Sequence, residues 1–201
     1  MKAISGSVTW RDFLLFSAMA FVLTNTFAQN VEKDLETGLT NRGNGLSYEQ
    51  VYLSDGQQII RRNVFIYGET CYVNYDGMQG FTREAGNAFP DMQILITGEQ
   101  GDTTLYINDL YVDYQDGIEN DPLDLYAEIT VADPMHSGRD YTLYVDIGDK
   151  KGDGSLRTSL DFRVERDQRI HVESEQLSGR EIYLYSQQAG HTITDGRTGF
   201  D

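Results

Sequence analysis

The sequence predicts an all-β protein built as an antiparallel β-sandwich, and three observations support this prediction. Apolar and polar residues alternate along successive segments from Leu46 onward, which is the pattern of strands with one buried face. Short stretches rich in Gly, Asp and Asn separate these segments, as turns between strands do. No segment after residue 28 keeps a helical apolar period over about three turns. Many short strands of this kind pack as a sandwich or close as a barrel.

The first 28 residues have the features of a secretory signal peptide. Lys2 and Arg11 precede an apolar stretch at 13–23, and residues 26–28 (TFA) form a small-x-small cleavage signature. The apolar stretch is shorter than the roughly 20 residues that a membrane-spanning helix needs. The single cysteine, Cys71, lies too far downstream to be a lipid anchor. We therefore expect an exported protein, periplasmic or extracellular, with no membrane insertion after cleavage.

The rest of the chain divides into a lead-in, one sandwich domain and an extension. Residues 29–45 are polar and lack either periodicity, which predicts a flexible N-terminal segment. Residues 46–166 form the predicted sandwich, and 167–201 a C-terminal extension that can add a hairpin before a frayed tail. The predicted strands lie at 47–53, 58–67, 71–75, 92–97, 103–108, 125–131, 141–147, 160–164 and 182–185. An Asp-Gly pair after the first of these strands predicts a hairpin.

Residues 137–146 (SGRDYTLYVD), a Gly-rich turn and residues 159–164 (SLDFRV) resemble the last hairpin of immunoglobulin-like and fibronectin-III-like domains. In that superfamily a tyrosine at the start of the penultimate strand bonds back to nearby backbone, and Tyr141 occupies the matching place. The sequence departs from antibody domains in having neither a cysteine pair nor a core tryptophan. The resemblance implies a fold and no catalytic residues.

The same resemblance orders the strands as B at 70–75, C at 92–97, C′ at 103–108, and then E, F and G. Successive antiparallel strands then place three connections at one end of the sandwich. These connections are the loops at 76–91, 109–124 and 148–155. The first is long and glycine-rich, a feature of functional loops.

Carboxylates on these loops are candidate calcium ligands, because oxygen-rich flexible loops suit this cation. The candidate metal ligands are Asp113, Asp116, Asp121, Asp149 and Asp153. Lys150 and Lys151 lie within the third loop and oppose cation binding. The alternative is that these carboxylates face water or stabilise turns without any ligand. No other cofactor is indicated.

The net charge of −16 excludes nucleic acid and anionic membranes as expected partners, since like charges repel. Tyrosines on the polar faces of strands suit stacking of sugars or peptides, and the alternative is that they pair with one another across strands. These tyrosines are Tyr72, Tyr106, Tyr144 and Tyr183. Cys71 is expected to be a buried small hydrophobe, with a reactive thiol as the alternative.

Catalytic motifs are missing from the sequence. His136, His171 and His191 have no metal-ligand spacing, and neither Gly-x-Ser-x-Gly nor His-Glu-x-x-His occurs. We therefore expect an exported, non-enzymatic binding or structural module that presents its acidic loops to a protein or glycan partner. The alternative is a secreted hydrolase of glycan or peptide with its carboxylates in the loop cluster.

Overall fold

The computed structural model describes residues 30–167, and within them the chain contains strands and turns but no α-helix. The strands are β1 (Asn30–Lys33), β2 (Thr40–Asn44), β3 (Gln50–Ser54), β4 (Ile59–Ile60), β5 (Val64–Ile66), β6 (Thr70–Met78), β7 (Arg83–Glu84), β8 (Asn87–Ala88), β9 (Pro90–Gly98), β10 (Thr103–Ile107), β11 (Leu123–Thr130), β12 (Arg139–Asp149) and β13 (Ser155–Glu165). The prediction of an all-β fold is therefore confirmed.

Two main sheets make up the described part of the chain. The larger sheet has the order β1-β2-β13-β12-β9-β10, with β5 also paired to β13. The smaller sheet has the order β11-β6-β3-β4, and β7 with β8 forms a separate two-stranded ribbon. Between the named strands of residues 30–167, the pairing of β5 with β13 is parallel and the others are antiparallel. The two sheets are open, with distinct edge strands, so the fold is a sandwich and not a closed barrel.

The core lies between the two sheets and follows from the alternation in the sequence. Along β11 the burial alternates strictly, with every second side chain inside. The same alternation runs through β9, β12 and β13 of the larger sheet. One hydrophobic cluster joins both inner faces, for example Ile94, Val145 and Phe162 from the larger sheet with Val73 and Ile129 from the smaller. Burial of these side chains is the main force that closes the sandwich.

Cys71 belongs to this core, as the sequence predicts. Its side chain is buried on β6, and burial raises the pKa of the thiol to about 12. A thiol held protonated in an apolar interior is a poor nucleophile. The structure thus favours the packing role over the reactive one.

The segment at 29–45 differs from its prediction as a flexible lead-in. From Asn30 onward it folds back on itself, because β1 pairs with β2 and β2 pairs with β13 in the larger sheet. The inward positions of β2 are Asn41 and Gly43, so the strand lacks the apolar alternation that would reveal it. The buried Asn41 amide oxygen accepts a hydrogen bond from the Thr158 hydroxyl at 2.8 Å. This bond compensates the burial of two polar groups.

The predicted strand at 58–67 is also corrected, because the structure divides it between the two sheets. Its start, β4, forms the predicted hairpin with β3, where the Asp55 carboxylate accepts the backbone N–H groups of Gln57 and Gln58. Gly56 has a φ of 89° in this turn, a conformation that favours glycine. Its end, β5, crosses to the larger sheet and pairs with β13. Apolar alternation does not reveal such a change of sheet.

The hydrogen bond predicted between Tyr141 and nearby backbone is present. Tyr141 lies near the start of β12, and its hydroxyl oxygen accepts a hydrogen bond of 2.8 Å from the backbone N–H of His136. The ring stacks on Phe162 of β13, with ring centroids 5.7 Å apart. The side chain thus ties the connection between β11 and β12 to the core.

Two of the predicted segments lie outside the described residues. They are the signal peptide at 1–28 and, beyond residue 167, the C-terminal extension with its proposed hairpin. Within 30–167, no helix has the length and hydropathy that a membrane crossing requires.

Candidate functional site

Three loops meet at one end of the sandwich, where the predicted strand directions place them. The ribbon of β7 and β8 occupies the first loop, and Ala88 exchanges two backbone hydrogen bonds, of 2.9 and 2.8 Å, with Ile118 of the second. In the third loop, the backbone N–H of Lys150 donates to the Phe89 carbonyl at 2.9 Å. We call this assembly of residues 79–89, 108–122 and 150–154 the loop end.

Basic side chains neutralise part of the acidic charge at the loop end. Lys150 forms an ion pair of 2.7 Å with Asp109, and Lys151 one of 2.9 Å with Glu84. Arg83 lies 3.2 Å from a carboxylate oxygen of Asp121. Each ion pair connects two different loops. The loop end is therefore held together by its own charges.

The five candidate metal ligands do not form a single cluster. Asp149 is buried, and its two oxygens accept backbone N–H groups of Thr82 at 2.6 Å and Lys151 at 3.0 Å. Asp121 is paired with Arg83, while Asp113, Asp116 and Asp153 are exposed. Across residues 30–167 no three Asp, Glu, His or Cys side chains lie close enough to hold one metal ion. Calcium binding stays a prediction, and Asp149 has a structural role in joining two loops.

Asp109 has an altered pKa at the loop end. Partial burial raises the pKa of its carboxyl, but hydrogen bonds from Lys150 and from the Tyr111 backbone N–H outweigh this effect and leave it below the ordinary value. Nearby Asp91 shows the opposite shift, because burial and then the Asp109 charge raise the pKa of its carboxyl. Asp109 is therefore the carboxylate that is stabilised in its charged form.

A second candidate surface lies on the outer face of the smaller sheet. The register across β11, β6 and β3 places Tyr126, Asn74 and Tyr52 in one row. The next row contains Glu128 and Tyr72, and Asp76 lies beyond the first row on the other side. These side chains line an open groove of about 490 Å³, which we call the tyrosine groove.

Side chains in the tyrosine groove are held by their neighbours. The rings of Tyr72 and Tyr126 meet edge to face, with centroids 6.0 Å apart and planes inclined by 62°. The Asn74 amide donates to the Ser54 hydroxyl at 2.9 Å, which orients the amide between the two flanking tyrosines. Such contacts reduce the side-chain entropy that a ligand would otherwise have to remove.

The groove combines aromatic surfaces with hydrogen-bonding groups. Burial, followed by the Asp76 charge, raises the pKa of Tyr52, and burial, followed by the Glu128 charge, raises that of Tyr72. Both hydroxyls therefore stay protonated at neutral pH and can donate hydrogen bonds. The carboxylates of Asp76 and Glu128 lie near these two hydroxyls and can serve as hydrogen-bond acceptors. Among the residues that the structure describes, no lysine or arginine lines the groove.

Sequence reasoning identified only part of this surface. Of the four tyrosines predicted for stacking, Tyr72 lies in the groove, whereas Tyr106 and Tyr144 belong to the larger sheet and Tyr183 lies outside the described residues. Tyr52 and Tyr126 were not predicted. Their position on the polar faces of their strands was the available signal, but their shared row depends on the register between three strands.

Comparison with solved structures finds a similarity to the crystal structure of the C-terminal domain of Wzt, with 15% sequence identity and a TM-score of 0.41. The match covers 78% of this chain and 90% of that chain. At this level the similarity says nothing about ligand or activity. No protein-family model matches the chain, and no curated protein matches it.

Proposed function

We propose that this protein is an exported, non-enzymatic binding module with an immunoglobulin-like fold, and that it binds a glycan in the tyrosine groove. The predicted signal peptide at 1–28 supports export. The observation that carries the ligand proposal is the row of Tyr126, Asn74 and Tyr52, in which an amide lies between two tyrosines on a solvent-facing sheet.

The strand order supports membership of the immunoglobulin-like superfamily. In the smaller sheet, β11, β6 and β3 follow the order of strands E, B and A, and in the larger sheet β13, β12 and β9 follow G, F and C. Strand β10, next to β9, takes the place of C′. The bond from His136 to the Tyr141 hydroxyl matches the tyrosine corner of that superfamily.

The chemistry of the groove favours a neutral oligosaccharide. Tyr126 and Tyr52 stand on strands separated by one other strand, so their backbones are about 10 Å apart. An extended oligosaccharide can present one sugar ring to each tyrosine, while Asn74 and Asp76 bond to sugar hydroxyls. The acidic side chains of Asp76 and Glu128 disfavour anionic glycans and nucleic acid.

The loop end offers a separate surface for a protein partner, as the sequence predicts. Its exposed carboxylates, Asp113, Asp116 and Asp153, are free of ion pairs within the described residues. The groove is the better supported glycan site, because its polar and aromatic groups face solvent together. At the loop end, by contrast, Asp149 and three ion pairs serve contacts between the loops.

Substitution of Tyr126 tests the glycan proposal. We expect binding to an array of neutral oligosaccharides, and we expect Tyr126→Ala to weaken the best ligand about fivefold to tenfold in calorimetry, since an aromatic contact contributes about 1 kcal/mol. Tyr106→Ala is the matched control, because Tyr106 is 54% exposed and Tyr126 is 56% exposed, on different sheets. The control should bind like the unmodified protein.

Three results would contradict the proposal. Absence of any oligosaccharide binding removes the glycan ligand, and an equal loss in Tyr106→Ala removes the groove as its site. Turnover of a bound oligosaccharide, abolished by Asp76→Asn, would replace the binding module with the hydrolase alternative.

A further inference from the structure

Strand β11 is an edge strand with one unpaired side. It is the terminal strand of the smaller sheet, and its only strand partner within residues 30–167 is β6. At eight residues it is the longest edge strand in this part of the chain. An edge of this length presents a row of backbone donors and acceptors to any extended chain that approaches it.

The direction of the unpaired groups follows from one hydrogen bond. The Tyr126 backbone N–H donates to the Tyr111 hydroxyl at 3.4 Å, so this N–H group points away from β6. Backbone groups in an antiparallel strand alternate sides, and those of Glu128 and Thr130 therefore face the open edge as well. The Val131 N–H donates to the Glu69 carbonyl at 2.8 Å, so the odd-numbered residues face β6, and among the described residues no loop carbonyl accepts the N–H of Glu128 or Thr130.

The other sheet edges carry features that prevent strand pairing. Strand β1 has four residues and ends at Lys33, and β4 has only two residues. Strand β10 has five residues and an irregular register between Thr103 and Leu105. Short length, lysine and bulges are the means by which proteins block edge pairing. Strand β11 has neither lysine nor proline. Its register with β6 is irregular at its start, between Leu123 and Leu125, but is regular over the six residues from Leu125 to Thr130, which leaves a longer regular edge than β10 has.

The surroundings of the β11 edge are apolar and acidic. Leu110, Val112 and Tyr114 of the preceding loop are exposed, and Tyr114 contacts Tyr111 with ring centroids 5.4 Å apart. The segment at 108–130, which includes β11, contains no lysine or arginine. Of its carboxylates, only Asp109 and Asp121 form ion pairs within the described residues. A basic partner therefore finds unneutralised charge beside the edge.

We propose that the β11 edge binds an extended, basic segment of a partner protein by strand addition. The partner's backbone bonds to the open groups of Glu128 and Thr130, and displacement of the Tyr111 hydroxyl frees the Tyr126 N–H for a third bond. Its lysine or arginine side chains lie on the outer face, next to Asp124 and Glu128, and its apolar side chains point inward. A second copy of this acidic chain lacks that charge complementarity.

A synthetic peptide of alternating lysine and valine, acetylated and amidated, is the probe. We expect it to bind the full chain and to slow hydrogen exchange at the amides of Glu128 and Thr130. A glutamate–valine peptide of equal length is the control and should not bind. No binding of the lysine peptide, equal binding of both peptides, or binding that leaves these two amides unprotected overturns the proposal.

Two variants at one position separate backbone pairing from charge. Glu128→Pro removes an N–H that faces solvent, so the ladder to β6 is retained, and we expect at least about tenfold weaker peptide binding. Glu128→Gln keeps the N–H and loses only the charge, and should bind better than the proline variant. Equal affinity of the two variants, each with Ala127 and Ile129 still protected from exchange, overturns strand addition. If the proline variant does not fold, the exchange result on the unmodified chain decides.

The peptide proposal and the glycan proposal can be tested separately. Tyr52 lies on β3, away from the β11 edge, so Tyr52→Ala should weaken oligosaccharide binding and leave peptide binding unchanged. Loss of peptide binding in Tyr52→Ala contradicts an edge site, whatever the outcome for the glycan.

Discussion

Two buried tyrosines differ in what their hydroxyl groups contact. The Tyr141 hydroxyl accepts the backbone N–H of His136, whereas the Tyr75 hydroxyl, buried on β6 beside the Thr158 side chain, makes no hydrogen bond of ordinary geometry among the described residues. Burial of an unpaired hydroxyl costs free energy, and a paired one repays that cost. The same chemical group therefore stabilises the fold at one position and opposes it at the other.

Removal of each hydroxyl tests this difference. We expect Tyr141→Phe to lower the free energy of unfolding by about 1 kcal/mol, because it leaves the His136 N–H unpaired. Tyr75→Phe should leave it unchanged or raise it, because the change removes an unsatisfied polar atom. Urea denaturation measures both. A loss in Tyr75→Phe as large as that in Tyr141→Phe would mean that the Tyr75 hydroxyl has a partner.

At the scale of the element, the β1–β2 hairpin has the most unexpected role. Its turn is closed by the Asp34 carboxylate, which accepts the Glu36 N–H at 2.9 Å and the Thr37 hydroxyl at 2.7 Å. Leu39, just before β2, is 1% exposed and belongs to the core. A segment with few apolar residues is thus anchored by one leucine and by the ladder to β13.

Truncation of this leucine tests the anchoring. We expect Leu39→Ala to lower the free energy of unfolding by about 2–4 kcal/mol, as for other fully buried leucines. Leu35→Ala is the matched control. Leu35 lies in the same hairpin but is 90% exposed, so its truncation should not change the free energy of unfolding measurably. If the two variants had equal free energies of unfolding in urea, Leu39 would not anchor this segment, and residues 30–45 would behave as the flexible segment that the sequence predicts.

At the scale of the whole molecule, ion pairs between loops close one end of the sandwich. The Lys150–Asp109 pair joins the third loop to the second, and the pKa of the Asp109 carboxyl lies below its ordinary value near 3.8. A carboxyl with a lowered pKa in the folded state adds stability above its unfolded pKa. That stability is lost as the pH falls through the folded pKa.

Acid titration tests the contribution of this pair. Between about pH 6 and about pH 3, the free energy of unfolding should fall less steeply in Asp109→Asn than in the unmodified protein, because the variant has no proton to bind there. Identical slopes in the two proteins would show that Asp109 does not take part in acid denaturation.

The sequence was informative wherever the signal is local. Alternation at 125–131 and 141–147 predicted two core strands, which the structure contains as β11 and β12. The place of Tyr141 predicted its hydrogen bond to nearby backbone. The strand order that the resemblance implies, with antiparallel strand directions, placed the three loops at one end. Apolar alternation did not predict β2, where Asn41 and Gly43 occupy the inward positions. It also did not predict that β5 lies in the other sheet from β4.

The alternation of apolar and polar residues determined the class of this protein, because it is a property of each strand by itself. The register between strands decided which side chains share a surface, and register depends on contacts between residues far apart in the chain. Only the tertiary structure therefore shows the row of Tyr126, Asn74 and Tyr52 and the open side of β11. It also shows the role of Asp149, whose oxygens accept hydrogen bonds from backbone N–H groups of two separate loops.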